Sequence, residues 1–573
     1  MPIQNADVAD IFNRVANLLE IEEANPYRVR AYRNAARTVS SLGRPVAEMV
    51  AQNEDLSQLS GIGEDLAGKI AEIVETGTLE QLETIEERTP RKLNELMRIP
   101  GLGPKRVGTL HRELGITNQD ELRAAAEAHE IREVKGFGQK TEQSLREALA
   151  EAADGEERIS ILEAEQRAEP LLDYLGASEG VKRITMAGSY RRRKETVGDL
   201  DILVTCKRGA DVMDRFTGYE DVRKVVSHGK TRSTVVLKSG LQVDLRVLPE
   251  VGYGAGLHYF TGSKAHNIAV RKRGVRKGFK INEYGVFKND RRVAGKTEEE
   301  VYEKVGLALV PPELREDAGE IEAAAEGRLP ELVCREDMRG DLHAHSDATD
   351  GQDSLEEMVA AARRLGYAYL AITDHSKRVT MAKGLDAERL EAQIERIDHL
   401  NEQLEDFRVL KGIEVDILED GALDLPDSIL KPLDLRVCSV HYAQNLPRGR
   451  QTRRIIKAME NPLFNILGHP TGRILGQRRG YDVDLEKIMD AAQDLGCFME
   501  LNAEPDRLDL SDVHCRMALD KGVRVANSTD AHSTASQAFM RFGIDQARRG
   551  WLTADDVLNT RGCDALLELL RRT

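Results

Sequence analysis

The sequence has little of what marks secreted or membrane proteins. Its six cysteines, at 206, 334, 438, 497, 515 and 563, are scattered, and none forms a Cys-x-x-Cys pair. Neither a disulfide framework nor a thiolate zinc site fits that pattern. No apolar run approaches the roughly 20 residues needed to span a bilayer, so no membrane partner is expected. Residues Met1 to Asp7 lack the basic and apolar stretches of a secretory signal. A reducing cytoplasm fits these absences. A net charge of -16 argues against a chain that is basic throughout. Nucleic acid, however, is met by local patches rather than by global charge. Residues 271–292 form one such patch, with nine Lys/Arg against two acids, Glu283 and Asp290. The same run would also suit a solvated helical face.

What is present is length and recurring pattern. With 573 residues, 41% apolar and 31% charged, the chain reads as a soluble globular protein of three or more structural units. Residues 1–150 read as helical, with 3.6-type periodicity over Asp10–Leu19, Leu66–Val74 and Leu93–Met97. One short pattern recurs three times, as Leu59-Ser60-Gly61-Ile62-Gly63, Ile99-Pro100-Gly101-Leu102-Gly103 and Val134-Lys135-Gly136-Phe137-Gly138. Each copy precedes a helical segment. Glycine permits the tight turn, and the free amides of the next helix can then face a phosphate. This is the helix-hairpin-helix pattern, and three copies point to DNA backbone binding through Gly61, Gly63, Gly101, Gly103, Gly136 and Gly138.

From 183 to 310 the character changes. Arg183–Ala187, Asp201–Thr205, Thr234–Leu237 and Gln242–Val247 read as strands, with Lys238-Ser239-Gly240 as a hairpin turn. Side chains alternate along a strand, so Asp199 and Asp201 in Gly198-Asp199-Leu200-Asp201 share one face. Two hard carboxylates on one face suit Mg²⁺ or Mn²⁺ shared with phosphate oxygens. Asp244, on a separate strand, could bridge both ions. Two ions about 4 Å apart can activate a hydroxyl and stabilise a leaving pyrophosphate. Upstream, Gly188-Ser189 and the following basic cluster can hold a triphosphate.

After 338 the pattern is βα alternation. Seven short apolar segments end in ligand-type residues: His343, His375, Glu414, His441, His469, Glu500 and Asp530. Such alternation suggests a parallel barrel, in which chemistry sits at the C-terminal strand ends. Eight of the 13 histidines lie after residue 340. His343-x-His345 and Asp530-x-His532 aim two ligands at one site, and Asp350 precedes Gly351. Mixed imidazole and carboxylate ligation suits Zn²⁺, Mn²⁺ or Fe²⁺ better than Mg²⁺. His343, His345, Asp350, His375, Glu414, His441, His469, Asp530 and His532 exceed the needs of one tetrahedral ion, so two or three ions are expected.

These motifs carry two resemblances. The Gly-Ser block with Gly-Asp-x-Asp resembles the polymerase-beta-like nucleotidyltransferases. The run Tyr259-Phe260-Thr261-Gly262-Ser263, with Asn267, Arg271 and Gly278–Tyr284, narrows this to family X DNA polymerases over residues 1–310. The resemblance implies that Asp199, Asp201 and Asp244 hold the catalytic metals and that Ser189, Arg192 and Gly198 meet the triphosphate, beside Gly188. Tyr259, Phe260 and Gly262 would flank the nucleotide sugar, and Asn267 and Arg271 would reach the nascent pair and the template minor groove. Arg246 and Glu283 match positions tied to thumb closure. Lys264 departs from the acidic residue of polymerase beta, and would meet the nucleotide or face solvent. Lys69 falls where the family places a Schiff-base lysine, giving 5′-deoxyribose phosphate lyase activity, although Asp65 replaces a nearby lysine.

The C-terminal motifs resemble the polymerase-and-histidinol-phosphatase (PHP) family. They are Asp341–Ser346, Thr373–Ser376, Gly412–Asp416, Ser439–His441, Gly468–Pro470 and Ser528–His532. In this order the two resemblances match bacterial family X polymerases with a PHP domain. The expected fold is multidomain α+β: a helical helix-hairpin-helix N-terminal region, a nucleotidyltransferase palm and thumb, and a distorted seven-stranded βα barrel. The expected boundaries are 1–85 (helical, lyase-like), 86–155 (helix-hairpin-helix fingers), 156–250 (palm), 251–315 (thumb), 316–337 (linker) and 338–573 (PHP barrel). The function implied is short-gap filling in DNA repair, including base excision repair, with metal-dependent 3′-5′ exonuclease or phosphoesterase activity. The ligands would be gapped or primed DNA, deoxynucleoside triphosphates, Mg²⁺ or Mn²⁺ in the palm, and Mn²⁺ or Zn²⁺ in the barrel. Two other readings stay open: a barrel acting only on small phosphate monoesters, and a DNA-end scaffold with inactive sites. The sequence leaves the oligomeric state open.

Overall fold

The computed structural model describes residues 3, 5–40, 46–59, 61–86, 89, 90, 92–97, 99, 102–154, 158–206 and 209–571. The chain forms two compact units, Met1–Glu156 with Arg473–Gly480, and Glu157–Gly472 with Tyr481–Thr573.

The first unit is helical over its long N-terminal part. Phe12, Val15, Leu18, Leu19, Ile70 and Ile73 recur at helical spacing and are buried in one core. In each copy of the repeated glycine pattern the described residues share one hydrogen bond. The amides of Ile62, Leu102 and Phe137 donate to the carbonyls of Leu59, Ile99 and Val134 at 3.0, 3.0 and 2.9 Å. Helices Glu64–Thr76, Pro104–Leu114 and Gln139–Asp154 then begin. Gly61 and Gly136 take φ +72° and +95°, which an L side chain rarely adopts. Gly63 and Gly103 cap their helices without a side-chain acceptor. The first amides of those helices therefore have no side-chain cap, as anion binding requires. Gly101 lies outside the described residues.

The second unit opens with a five-stranded sheet. Its strands are β1 (Val181–Met186), β2 (Asp199–Cys206), β3 (Val222–His228), β4 (Arg232–Leu237) and β5 (Gln242–Val247), in the order β1-β2-β5-β4-β3. Only the central β2–β5 pair is parallel. The expected turn joins β4 to β5, with Gly240 at φ +98° donating to Leu237. Helices Tyr253–Thr261 and Lys264–Arg276 follow, then a small antiparallel sheet of β6 (Lys280–Asn282), β7 (Gly285–Lys288) and β8 (Arg291–Ala294). The segment 316–337, read from the sequence as a linker with some helix, carries the helix Glu320–Glu326. Its Ile321 and Ala324, with Leu332, join the core formed by Val270, Val286 and Val301.

The barrel strands are β9 (Gly340–Asp341), β10 (Tyr369–Ile372), β11 (Arg408–Asp416), β12 (Leu435–Ser439), β13 (Ile466–Leu467), β14 (Phe498–Asn502) and β15 (Val525–Ser528). They pair in sequential order, all parallel. A bridge between Ala344 and Ala531 joins the first and last strands just beyond their ends, so the barrel is nearly closed. The strands are almost continuously buried, as expected when helices cover a parallel sheet. Among the described residues, no helix is long and apolar enough to cross a membrane.

Candidate active sites in the palm and the barrel

In the five-stranded sheet the β2–β5 register places Asp201 directly beside Asp244. Thr234 and Gln242 donate to Asp244 at 2.6 and 3.0 Å, and Arg232 lies 3.3 Å away. Asp201 has no such neutralising set. Its pKa is pushed up to about 7 by burial, then by the carboxylates of Asp199 and Asp244, against the weaker pull of Arg246 and Arg192. A fold that gathers three carboxylates at this cost is suited to a divalent cation.

Gly188 opens the short helix Gly188–Arg191 with φ +62°, and a Cβ there would lie 2.5 Å from Asp201 Oδ2. Only glycine lets the turn approach the acids so closely. Ser189 and Gly198 are half-buried beside it. Arg192 caps this helix, and its guanidinium is tethered to the Thr261 carbonyl and to Glu316, at 3.0 Å. Arg192 Nη1 lies 3.1 Å from where a Gly262 Cβ would be, and Gly262 takes φ +72°. The Tyr259 and Phe260 rings pack edge to face at 5.0 Å, and the Arg246 guanidinium covers Phe260 at 4.3 Å. Asn267 donates to the Tyr259 carbonyl at 2.6 Å, and Arg271 stands one turn further along the same helix. Lys264 is exposed in its first turn.

In the barrel the candidate ligands converge at the C-terminal strand ends. Three groups each bring their ligand atoms within 4.8 Å of one another: His345, Asp350, His375 and His532; His343, His345 and Asp530; and His375, Glu414 and His441. His345 and His375 are shared, so the groups form one continuous cluster. His469 joins through Nε2, 3.0 Å from Glu414 Oε1. Three buried ring nitrogens here, His343 Nε2, His345 Nδ1 and His469 Nδ1, have no hydrogen-bond partner, and His375 Nδ1 faces Glu414 Oε2 at 2.7 Å without hydrogen-bond geometry. Orphaned polar atoms are rare in a packed interior, and coordination to metal ions would satisfy them. Burial opposes charge on Glu414, yet His441, His375 and His343 hold its carboxyl well below the usual range. Burial likewise opposes charge on His343, and Glu500, Asp530 and Glu414 raise it well above the usual range. His469 and Asp530 sit at φ +27° and +53°, a backbone region that β-carbons disfavour and that clusters at functional sites.

A second layer of carboxylates orients these rings. His343 Nδ1 lies 2.6 Å from Glu500, which also accepts the His469 amide at 2.6 Å. His441 Nδ1 lies 3.1 Å from Asp416. Asn502 donates to Asp530 at 3.0 Å. Asp374 accepts from Ser346 and Thr349 below the cluster. Of these four, Asp374, Asp416 and Asn502 do not stand out in the sequence as site residues on their own chemistry. Glu500 does, because it closes an apolar segment of the sequence as the ligands do, and it lies within β14.

Lys69 stands apart from both centres in sequence and lies in the helical unit. It forms an ion pair with Asp65, one turn earlier, and its ammonium lies 5.6 Å from the Tyr32 ring centroid. Burial lowers its pKa, but the Asp65 and Tyr32 contacts outweigh burial and leave it raised.

This arrangement of domains has known counterparts. Residues 158–250 and 256–316 match the DNA polymerase beta palm and thumb, and 341–504 match the PHP domain. Residues 3–79 match a helix-hairpin-helix domain and 93–151 a SAM-like helix-hairpin-helix tandem. The DNA polymerase/3′-5′ exonuclease PolX of Bacillus subtilis is 36% identical over 570 residues, 99% of each chain. The chain belongs to the bacterial family X DNA polymerases with a C-terminal PHP domain. The PHP part of this family X chain also resembles free-standing proteins. A probable phosphatase of Thermoanaerobacter sp. (strain X514) is 31% identical over 231 residues, 38% of this chain and 89% of its own. A probable phosphatase of Syntrophotalea carbinolica is 27% identical over 241 residues, 40% of this chain and 95% of its own.

Proposed function

We propose that the chain is a DNA-directed DNA polymerase that fills short gaps during DNA repair, and that its barrel hydrolyses DNA from the 3′ end. The observation that carries this reading is the presence of two separate centres in one family X chain: acids set on paired parallel strands, and an imidazole-carboxylate cluster with orphaned ligand atoms.

In the palm, Asp199, Asp201 and Asp244 would hold two Mg²⁺ or Mn²⁺ ions, which supply Lewis acidity to the 3′-hydroxyl and the leaving pyrophosphate. Gly188, Ser189, Arg192 and Gly198 bind the triphosphate of the incoming deoxynucleotide through backbone amides, a hydroxyl and a guanidinium. Gly262, with Tyr259 and Phe260, leaves no room for a ribose 2′-hydroxyl. Asn267 and Arg271 face the nascent pair, and Lys264 stands at the nucleotide's edge. In the barrel, His343, His345, Asp350, His375, Glu414, His441, His469, Asp530 and His532 would hold two or three Mn²⁺ or Zn²⁺ ions, which supply a nucleophilic water at neutral pH. Glu500 and Asp416 hold His343 and His441 in one ring orientation, which keeps their other nitrogens as ligands. Gly61, Gly63, Gly101, Gly103, Gly136 and Gly138 serve to grip the DNA backbone. A cytoplasmic site of action fits this role.

The probable phosphatases matched by the barrel alone favour a second reading, in which it removes phosphate from small monoesters. A primer-extension and degradation assay on gapped DNA, with Mg²⁺ and Mn²⁺ compared, separates the two. Extension together with 3′-terminal shortening supports the first reading. Release of phosphate from monoesters without shortening supports the second.

A further inference from the structure

The barrel reaches into the nucleotide-binding turn of the palm. Helix Met540–Arg549 ends on Arg549, whose side chain is almost fully buried. Its guanidinium forks onto Asp512 at 2.9 and 2.6 Å and donates to the main-chain carbonyl of Arg192 at 2.7 Å. The same guanidinium lies 3.2 Å from Glu316 Oε1, the oxygen that accepts from Arg192 Nε at 3.0 Å. One turn earlier, Gln546 donates to the Arg193 carbonyl at 3.1 Å. A barrel residue therefore holds the backbone of the turn and, through Glu316, the side chain of the arginine that caps it.

We propose that Arg549 is a positioning residue for nucleotide addition, so that the PHP barrel is a structural part of the polymerase's triphosphate site. This rests on the reading of Arg192 as a triphosphate contact. Arg192 has a fork of donors, and the turn leaves it a choice of directions. The Thr261 carbonyl takes one donor and Glu316 another. Glu316 alone, about a quarter exposed, would be a mobile partner. Arg549 fixes it from a buried position and clamps the Arg192 carbonyl at the same time. Lys194, 3.5 Å from Glu316 and 3.9 Å from Asp512, completes the charge balance without the planar fork. Lysine in place of Arg549 would keep the charge and lose the simultaneous contacts.

The test is single-nucleotide gap filling by the full chain at varied deoxynucleotide concentration, with hydrolysis of bis(p-nitrophenyl) phosphate as a control for the barrel. Arg549→Ala is expected to raise the KM for the nucleotide about tenfold with kcat within about threefold, the pattern of a lost binding contact. Arg549→Lys should fall between that variant and the wild type, and hydrolysis should persist in both. Glu316→Gln should raise KM in the same way, and combining it with Arg549→Ala should add little, because both act through Arg192. An unchanged KM in Arg549→Ala with hydrolysis retained overturns the proposal. Where Arg549→Ala loses hydrolysis as well, Glu316→Gln decides, and an unchanged KM there overturns it. Arg192→Ala separates the two layers of the argument. If its KM is unchanged, the triphosphate reading fails and the proposal falls with it. If its KM rises while Arg549→Ala stays at the wild-type value, only the positioning role fails.

Discussion

His343 and Glu500 meet at 2.6 Å beneath the barrel cluster, with both side chains fully buried. The contact fixes which nitrogen of His343 faces the cluster, and Glu500 also takes the His469 amide. One carboxylate thus supports two candidate ligands from two strands. Outer-shell partners of this kind typically contribute 10–100-fold to metal affinity or activity. Glu500→Gln is therefore expected to lower Mn²⁺-dependent hydrolysis by roughly 10–100-fold while leaving primer extension intact. Wild-type hydrolysis in that variant at limiting Mn²⁺ would show that Glu500 only fills space.

The ligands are legible in the sequence and, Glu500 apart, their supports are not, for a physical reason. A candidate ligand at a strand end stands out because a His, Asp or Glu interrupts an apolar run, as at His375 after Tyr369–Ile372. Asp374 and Asp416 lie beside such ligands in the same motifs, and their inward hydrogen bonds depend on neighbouring strands that no local pattern reveals. In the palm, the strands around Asp199 and Asp244 match their expected positions to within two residues, whereas β3 has no sequence signal. It is an edge strand exposed on both faces, so Val222–His228 carries no alternation to read. The segment 316–337 reads as a linker with some helix because it is acidic and alanine-rich, and a few apolar residues suffice to dock it. Arg549 is invisible for the same reason as Asp374: its partners Arg192 and Glu316 are more than 200 residues away.

Separation of the two activities tests the palm. Asp199→Ala and Asp201→Ala should abolish nucleotide addition and keep hydrolysis, while His343→Ala and Asp530→Ala should do the reverse. Extension by either aspartate variant at the wild-type rate would remove that residue from the metal set.

The raised pKa of Asp201 gives a pH signature in metal-free protein. Its value of about 7 in the fold lies above the usual aspartate value. Between these values the folded state holds a proton that the unfolded chain has released, so stability falls as pH rises through that window. A tenfold difference in proton affinity between the two states corresponds to roughly 1.4 kcal/mol. Urea denaturation in chelator should show Asp201→Asn gaining stability over the wild type at about pH 7.5 and losing that advantage near about pH 4. Mg²⁺ should narrow the difference by stabilising the wild type alone. A gap that does not change with pH would mean that the carboxylates do not oppose one another in the fold.

On the proposed reading, the helix-start amides and the basic run 271–292 would contact phosphates rather than base edges. Affinity for gapped duplex should then fall on the order of a thousandfold between about 50 and 200 mM salt, with little dependence on sequence. Gly61→Val and Gly136→Val force a side chain into left-handed backbone, and each should weaken binding without altering the salt slope greatly. Flat salt dependence, or strong preference among sequences, would point to base readout instead.

Lys69, expected from the sequence to be the lyase nucleophile, carries an ion pair that makes its test direct. Excision of a 5′-deoxyribose phosphate through a Schiff base requires a neutral amine to attack the aldehyde. Burial favours that neutral form, but Asp65 and Tyr32 favour the ammonium and prevail, so the amine stays charged to higher pH than a free lysine. The neutral fraction grows only as pH rises toward that raised value. Borohydride trapping on a 5′-deoxyribose phosphate substrate should therefore give an adduct that increases with pH and disappears in Lys69→Ala. Asp65→Ala removes the nearest anion, and should shift the rise to lower pH. An adduct that survives in Lys69→Ala assigns the chemistry to another amine. The absence of any adduct across the pH range leaves Lys69 with a structural role, as the partner of Asp65 on the helix that follows the first glycine turn.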